Sequence, residues 1–262
     1  MAVAAFFDVD NTLMRGASAF HFAVGLARHR YFRAPQIWRF GVKQAAFVIR
    51  GKESSRHMAS ATTAALEFVA GRPVEELLSI SDEVFDEVLA AKILPGPLAL
   101  AQAHIARGEQ VWLVTATPVE LAGLIARRLG LTGGLGTVAE IENGRYTGRL
   151  VGPALHGPAK AIAVQELAAA RDIDLDASWA YSDSINDLPL LCEVGHPVAV
   201  NPDGRLRAHA REQGWPIEDF RSRTAMRRHV TPAIVGAGGL IAGAVAGVTI
   251  GYAIGRRVRT SQ

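Results

Sequence analysis

The sequence predicts an α/β protein: a parallel sheet core, a helical block inserted after the first strand, and a hydrophobic helix at the C-terminus. Three observations predict it. From Pro95 onward, short apolar runs alternate with helical patterns, as in a parallel sheet covered by helices. Between residues 14 and 94 no such run occurs, and apolar residues recur at helical spacing instead. From Pro232 to Ile254 the chain carries no charge over 23 residues.

The first strand is the apolar run Val3 to Phe7. Asp8 and Asp10 stand where it should end. Side chains two residues apart share one side of a strand, and a turn can splay them toward a common point. Two acids so placed cost stability unless something cationic lies between them, and a divalent metal with a phosphate ester would serve. The pair reads equally as exposed turn formers followed by Asn11, so the rest of the chain has to decide.

The helical block begins with Ala19, Phe20, Phe22, Ala23, Leu26 and Ala27, and continues through Ile37, Phe40, Ala45, Val48 and Ile49. Gly51 to Ser55 is a break. Ala59–Gly71 and Pro73–Ala91 read as two further helices, with Pro73 suited to a first turn and Glu75 and Glu76 complementing the helix dipole. Pro95-Gly96-Pro97 ends the block. Leu98–Arg107 then reads as a helix, Gln110–Thr115 as a strand and Pro118–Leu129 as a helix stopped by Gly130. Thr137–Glu142 and Arg145–Val151 flank Asn143-Gly144, a strong hairpin signal. Pro158–Arg171 is a helix, Ser178–Ser182 a strand, Asp187–Val194 a short helix and Pro197–Val200 a last strand.

In parallel sheets, ligands bind outside the carboxyl ends of the strands. Asp8, Thr115 and Asp183 each end a predicted strand, Asp187 follows four residues after Asp183, and Lys160 opens the helix before that strand. Each has a dull reading alone: strand end, helix N-terminal charge, solvated lysine. Five polar groups converging on one sheet edge favours a site.

Composition narrows the class. Apolar content of 49% against 20% charged describes a folded chain rather than a disordered one. The single cysteine, Cys192, cannot form an intramolecular disulfide, which fits a reducing compartment. No basic start precedes Asp8, so no signal peptide is expected. Between Arg15 and Arg56, nine cations face a single acid, Glu53, and Arg221, Arg223, Arg227 and Arg228 form a second cluster. Such stretches favour phosphate esters, lipid head groups or nucleic acid, although each arginine also reads as part of a solvated face. No nucleic-acid module accompanies the charge, so nucleic acid ranks low.

Taken together, Asp8-Val9-Asp10-Asn11-Thr12, Thr115, Lys160 and Ser182-Asp183-Ser184-Ile185-Asn186-Asp187 closely resemble the four motifs of the haloacid-dehalogenase-like superfamily, on its phosphoserine-phosphatase-like branch. The resemblance covers roughly residues 3–220. It implies a Rossmann-like core at 1–14 and 95–220 and a small helical cap at 15–94 that closes over the site. It implies a phosphoric monoester hydrolase with Mg²⁺ as cofactor and a small phosphorylated substrate. Asp8 would be the nucleophile, forming an aspartyl-phosphate, and Asp10 the general acid and then base. Asp8, the Asp10 backbone carbonyl and Asp183 would bind the metal, with Asn186 and Asp187 supporting them. Thr115, the Ala116 amide and Lys160 would hold the phosphoryl oxygens. The phosphoserine phosphatases carry an acid nine residues after the nucleophile to recognise the substrate ammonium. Here that residue is Ala17, and Arg15-Gly16-Ala17-Ser18 holds no acid. The substrate is therefore left open between a phosphoserine-like and another metabolite phosphate.

The tail completes the expectations. After a basic linker at 221–231, residues 232–255 are long enough for a helix to span a hydrocarbon core of about 30 Å. Gly239, Gly243, Gly247, Gly251 and Gly255 form one stripe that permits close helix contact and hence a homo-oligomer. The expectation is a single-pass tail in the cell membrane with the catalytic domain in the cytoplasm. The alternative is a flexible glycine-rich tail on a cytoplasmic protein. Two other functions compete: a lipid-phosphate phosphatase at the membrane, and a catalytically idle phosphate-binding membrane scaffold.

Overall fold

The computed structural model describes residues 1–31 and 69–221. Expectations for 32–68, including most of the helix expected at Ala59–Gly71, lie outside the described residues. So do the tail helix at 232–255, its glycine stripe and all of the basic linker except Arg221. Among the described residues no helix is long and apolar enough to cross a membrane.

Six parallel strands form the sheet: β1 (Ala4–Phe7), β2 (Gln110–Pro118), β3 (Gly133–Thr137), β6 (Trp179–Ser182), β7 (His196–Val200) and β8 (Ile217–Glu218). Their order is β3-β2-β1-β6-β7-β8, so β1 is central. Phe7 lies in register with Leu113 on one side and Tyr181 on the other, which brings the ends of three strands level. Strand alternation sends Phe6 and Phe7 to opposite faces. Phe7, Leu113 and Tyr181 join one core cluster; Phe6, Trp112 and Val114 join the other, with Val164 and Ala168 of α5 (Pro158–Arg171). Both faces are buried, as continuous apolar runs in a parallel sheet require.

The chain leaves the sheet after β1 and returns at one neck. Met14 bridges Ile93, Leu94 N–H donates to Leu13 O (2.9 Å) and Arg15 N–H to Lys92 O (2.8 Å). Between these ends the described residues form α1 (Ser18–Arg28) and α2 (Val74–Val84), which continues through a π turn (Phe85–Leu89) and a 3₁₀ turn (Ala90–Lys92). Pro73 caps α2 rather than entering its first turn.

Further along, α3 (Pro95–Ala106) begins three residues earlier than expected. Pro95-Gly96-Pro97 forms its first turn, where a missing N–H costs no hydrogen bond. Helix α4 (Val119–Leu129) ends on Gly130 at φ 68°, as expected. The hairpin β4 (Ala139–Glu142) and β5 (Arg145–Leu150) turns through Asn143 (φ 50°) and Gly144 (φ 73°). In place of one short helix at Asp187–Val194, a 3₁₀ turn (Ile185–Asp187) leads into α6 (Leu188–Leu191), opened by Ser184, whose side chain accepts from Asn186 N–H. Three elements had no counterpart in the sequence reading: β3, β8 and α7 (Gly204–Glu212). Glycines disguise β3, yet close packing demands them. A Cβ on Gly136 would lie 2.6 Å from Val119 Cα, and one on Gly134 2.8 Å from Ala122 backbone.

Candidate active site

The carboxyl ends of β1, β2 and β6 carry the polar residues picked out from sequence. Asp8 directly follows β1, and its N–H donates to Tyr181 O (2.9 Å). It is 6% exposed. Lys160, in the first turn of α5, is 3% exposed and lies between two acids. Its Nζ donates to Asp8 Oδ1 (2.6 Å) and to Asp187 Oδ2 (2.8 Å). Asp187 Oδ2 also accepts from Ser182 Oγ (2.7 Å). Asp183 joins through Thr12: the Thr12 hydroxyl accepts from Asp183 N–H (2.9 Å), and its single proton is shared between Asp8 Oδ2 (3.1 Å) and Asp183 Oδ1 (3.3 Å).

Asp10 goes elsewhere. Asn11 takes a left-handed φ of 62°, and among the described residues the two acids share no hydrogen-bond partner. Asp10 Oδ1 accepts from Ser18 N–H (2.8 Å) and Ser18 Oγ (2.5 Å). Ser18 Oγ in turn meets Thr117 Oγ1 at 2.7 Å. Thr115 is 1% exposed, and its Oγ1 accepts from Thr117 N–H (3.3 Å). The Ala116 carbonyl accepts from Thr137 Oγ1 (2.7 Å), which fixes the peptide between Ala116 and Thr117. Asn186 N–H donates to Ser184 Oγ (3.2 Å). A cavity of about 480 Å³ opens beside Asp183, lined among others by Asn11, Arg15, Asp203 and Arg221.

The electrostatics are those of an acidic cluster short of positive charge. Asp8, Asp183 and Asp187 face one ammonium. Burial pushes the Asp8 carboxyl up, against the pull of Lys160 and with the repulsion of Asp187, to about 7. Burial, then Asp8, pushes Asp183 up to about 8. Burial raises Asp10, opposed by its two bonds from Ser18. For Lys160, burial alone would favour the neutral amine. Asp8 and Asp187 more than offset it and hold the ammonium above its ordinary range. Among the described residues, no group of three His, Cys, Asp or Glu side chains forms a ready-made metal cage. The set expected from sequence is different in kind: two carboxylates, Asp8 and Asp183, with one backbone carbonyl.

Direct contacts thus join Asp8, Lys160 and Asp187, and Thr12 adds Asp183; Thr115 was expected to end its strand, but β2 runs on to Pro118, with a register shift between Val114 and Pro118. Thr12 and Ser182 were missed as site residues, although both lie inside the quoted motifs. Ser18 and Thr117 carry no sequence signal; only folding brings them to Asp10.

The family described as haloacid dehalogenase-like hydrolase matches residues 5–191. The chain belongs to this family. It is 52% identical over 245 residues to a Mycobacterium tuberculosis protein named phosphoserine phosphatase SerB1, covering 92% of this chain and 80% of that one. A Neisseria meningitidis histidinol-phosphatase is 34% identical over 151 residues, 56% of this chain and 68% of its own. Among solved structures, a Bordetella pertussis protein of unknown function has a TM-score of 0.72 at 30% identity, covering 83% of this chain and 98% of that chain. The chain is thus a phosphoric monoester hydrolase of this family, on its phosphoserine-phosphatase-like branch.

Proposed function

We propose that the chain is a Mg²⁺-dependent phosphatase that hydrolyses a small metabolite phosphomonoester through an aspartyl-phosphate on Asp8. The observation that carries the reading is Lys160, buried and in contact with both Asp8 and Asp187 at the carboxyl edge of the sheet. A buried ammonium there favours the anionic, attacking form of Asp8 against its burial and also offsets charge on the incoming phosphoryl oxygens.

In this reading Asp8 attacks phosphorus while Asp10 gives a proton to the leaving oxygen. Asp10 then takes a proton from the water that hydrolyses the acyl phosphate, which restores both carboxyl groups. Thr115 and the Ala116 N–H hold the phosphoryl oxygens. Mg²⁺ fits the donor set: the oxygens are hard, the one ammonium pairs with Asp8 and Asp187 and not with Asp183, and burial with mutual repulsion pushes Asp183 and Asp8 toward protonation. Asp8, Asp183 and the Asp10 carbonyl would hold it, and when bound it would supply positive charge against the phosphate. Asp187 acts through Lys160, and Asn186 helps to orient the loop. Residues 15–94 are read as a cap on the core 1–14 and 95–220; the neck at Met14 and Ile93 supports that division.

The substrate stays within two classes. The relatives named above are a phosphoserine phosphatase and a histidinol-phosphatase, both acting on amine-bearing monoesters by name. Ala17 removes the acid that would bind the ammonium in the first way. A membrane tail, a cytoplasmic site of action, and action on lipid phosphates rest on segments outside the described residues, and nothing described favours them or an idle scaffold. Purified protein should release phosphate from 4-nitrophenyl phosphate, and EDTA and Asp8→Asn should each abolish it. Full activity of Asp8→Asn would end the reading.

A further inference from the structure

We propose that Ser18 and Thr117 are positioning residues for the general acid, fixing Asp10 Oδ1 so that its proton is carried on Oδ2 and presented to the leaving oxygen. The inference rests on the reading of Asp10 as the general acid.

Neither hydroxyl is on the surface: Ser18 is fully buried and Thr117 is 3% exposed. Serine at the start of a helix ordinarily turns its oxygen back to cap the helix's own N–H groups. Ser18 opens α1 and does not: the cap residue before it is Ala17, which makes no side-chain bond. The arrangement is inverted. Ser18 N–H, one of the unpaired donors at the start of α1, points at Asp10 Oδ1 (2.8 Å), and the Ser18 hydroxyl points at the same oxygen. The acid thereby caps the first helix of the insertion.

Counting protons gives the direction of the chain. Ser18 has one hydroxyl proton, and it goes to Asp10 Oδ1. The 2.7 Å contact with Thr117 must then be made with the Thr117 proton, donated to Ser18 Oγ. With two donors already on Oδ1, a proton on the carboxyl group belongs on Oδ2, which accepts no hydrogen bond from the described residues. During the first step the P–O ester bond breaks, the Asp8 O–P bond forms, and the Oδ2 proton passes to the departing oxygen. During the second, water adds to phosphorus, the Asp8 O–P bond breaks, and the water proton returns to Oδ2. Loss of the Ser18 hydroxyl leaves only the Ser18 N–H on Oδ1, and loss of the Thr117 hydroxyl lets the Ser18 hydroxyl turn away, so either change loosens the carboxyl and weakens the choice of oxygen that holds the proton.

A general acid matters in proportion to how poor the leaving group is. Nitrophenolate departs unprotonated, whereas phenolate gains from protonation. The test is kcat/KM for a series of aryl phosphates from 4-nitrophenyl to phenyl, measured on wild type, Ser18→Ala, Thr117→Val and Thr117→Ser. Ser18→Ala and Thr117→Val should lose about tenfold on phenyl phosphate and less than about twofold on 4-nitrophenyl phosphate, steepening the dependence on leaving-group acidity. Thr117→Ser, which keeps the hydroxyl, should restore the shallow dependence. A parallel loss across the whole series, or no loss, overturns the proposal, and the Thr117 pair carries the test if Ser18→Ala does not fold. Asp10→Asn separates the two levels. If its series keeps the wild-type slope, Asp10 is not the general acid; if its slope steepens while Ser18→Ala and Thr117→Val match wild type, only the positioning role fails.

Discussion

Replacing Lys160 by Met keeps most of the length of the side chain and removes its charge. Lys160 is 3% exposed and touches Asp8 Oδ1 at 2.6 Å and Asp187 Oδ2 at 2.8 Å, so the change leaves two buried carboxylates facing each other with nothing between. Breaking a buried pair by removing one partner costs about 3–5 kcal/mol of stability. The catalytic loss is separate. A unit charge about 4 Å from another is worth about 4 kcal/mol at an effective dielectric near 20. Losing that stabilisation of the charged phosphoryl group lowers kcat/KM by about 10³-fold. The assay is steady-state hydrolysis of 4-nitrophenyl phosphate, with urea denaturation of the same samples to read stability. Lys160→Arg retains charge in a different shape and should fall between the two. The reasoning is refuted if Lys160→Met keeps more than about a tenth of wild-type kcat/KM.

Further predictions concern pH, the metal and the sheet. Asp8 and Asp183 are both held above the ordinary carboxylate range, to about 7 and about 8, so the folded state binds their protons more tightly than the unfolded chain does. Their favourable contribution is complete below the unfolded value near 3.8 and is lost as pH rises through about 7 to 8. The melting temperature of metal-free protein should therefore fall across that window, and added Mg²⁺ should raise it more at the alkaline end. A melting temperature that rises with pH there, or a Mg²⁺ shift equal at both ends, would contradict the charge deficit. Gly136→Ala places a Cβ 2.6 Å from Val119 Cα and 2.7 Å from Thr117 O. Backbone cannot yield as a side chain would, so a loss of at least about 1–3 kcal/mol in denaturant titration is expected. Gly108→Ala offers a contrast, since nothing lies within 4 Å of its Cβ and only its φ of 78° opposes the change.

Much of the site was legible because its chemistry sits in short contiguous motifs at strand ends. Asp8, Asp183 and Asp187 needed only the positions of β1 and β6, and the apolar runs Ala4–Phe7 and Trp179–Ser182 mark those strands plainly. Lys160 needed one more step, the helix Pro158–Arg171, whose bounds the sequence reading matched. The resemblance implies Lys160 beside Asp8, holding it ionised; its second contact, with Asp187 27 positions away, could not be seen. Ser18 and Thr117 were invisible for the same reason: 99 residues separate them, and each alone is an ordinary hydroxyl. In the fold, Gly133–Thr137 escaped notice because its glycines read as loop, whereas they are there to let Trp112, Ala122 and Val119 approach. Helix α7 escaped because its apolar face is short, Leu206 and Ala210 alone being buried. Its start is nonetheless marked by Asp203, whose carboxylate accepts from Leu206 N–H (2.7 Å) and from Ile185 N–H (3.0 Å), tying it to the site loop.

The central claim is that Asp8 carries the phosphoryl group. The most direct measurement is an acid quench during turnover of an aryl phosphate, followed by peptide mass analysis. The account predicts a mass increase of one phosphoryl group on the peptide holding Asp8. That adduct should be labile to hydroxylamine, as an acyl phosphate is, and absent from Asp8→Asn. A phosphoryl group found on any other residue, or undiminished turnover by Asp8→Asn, would contradict it.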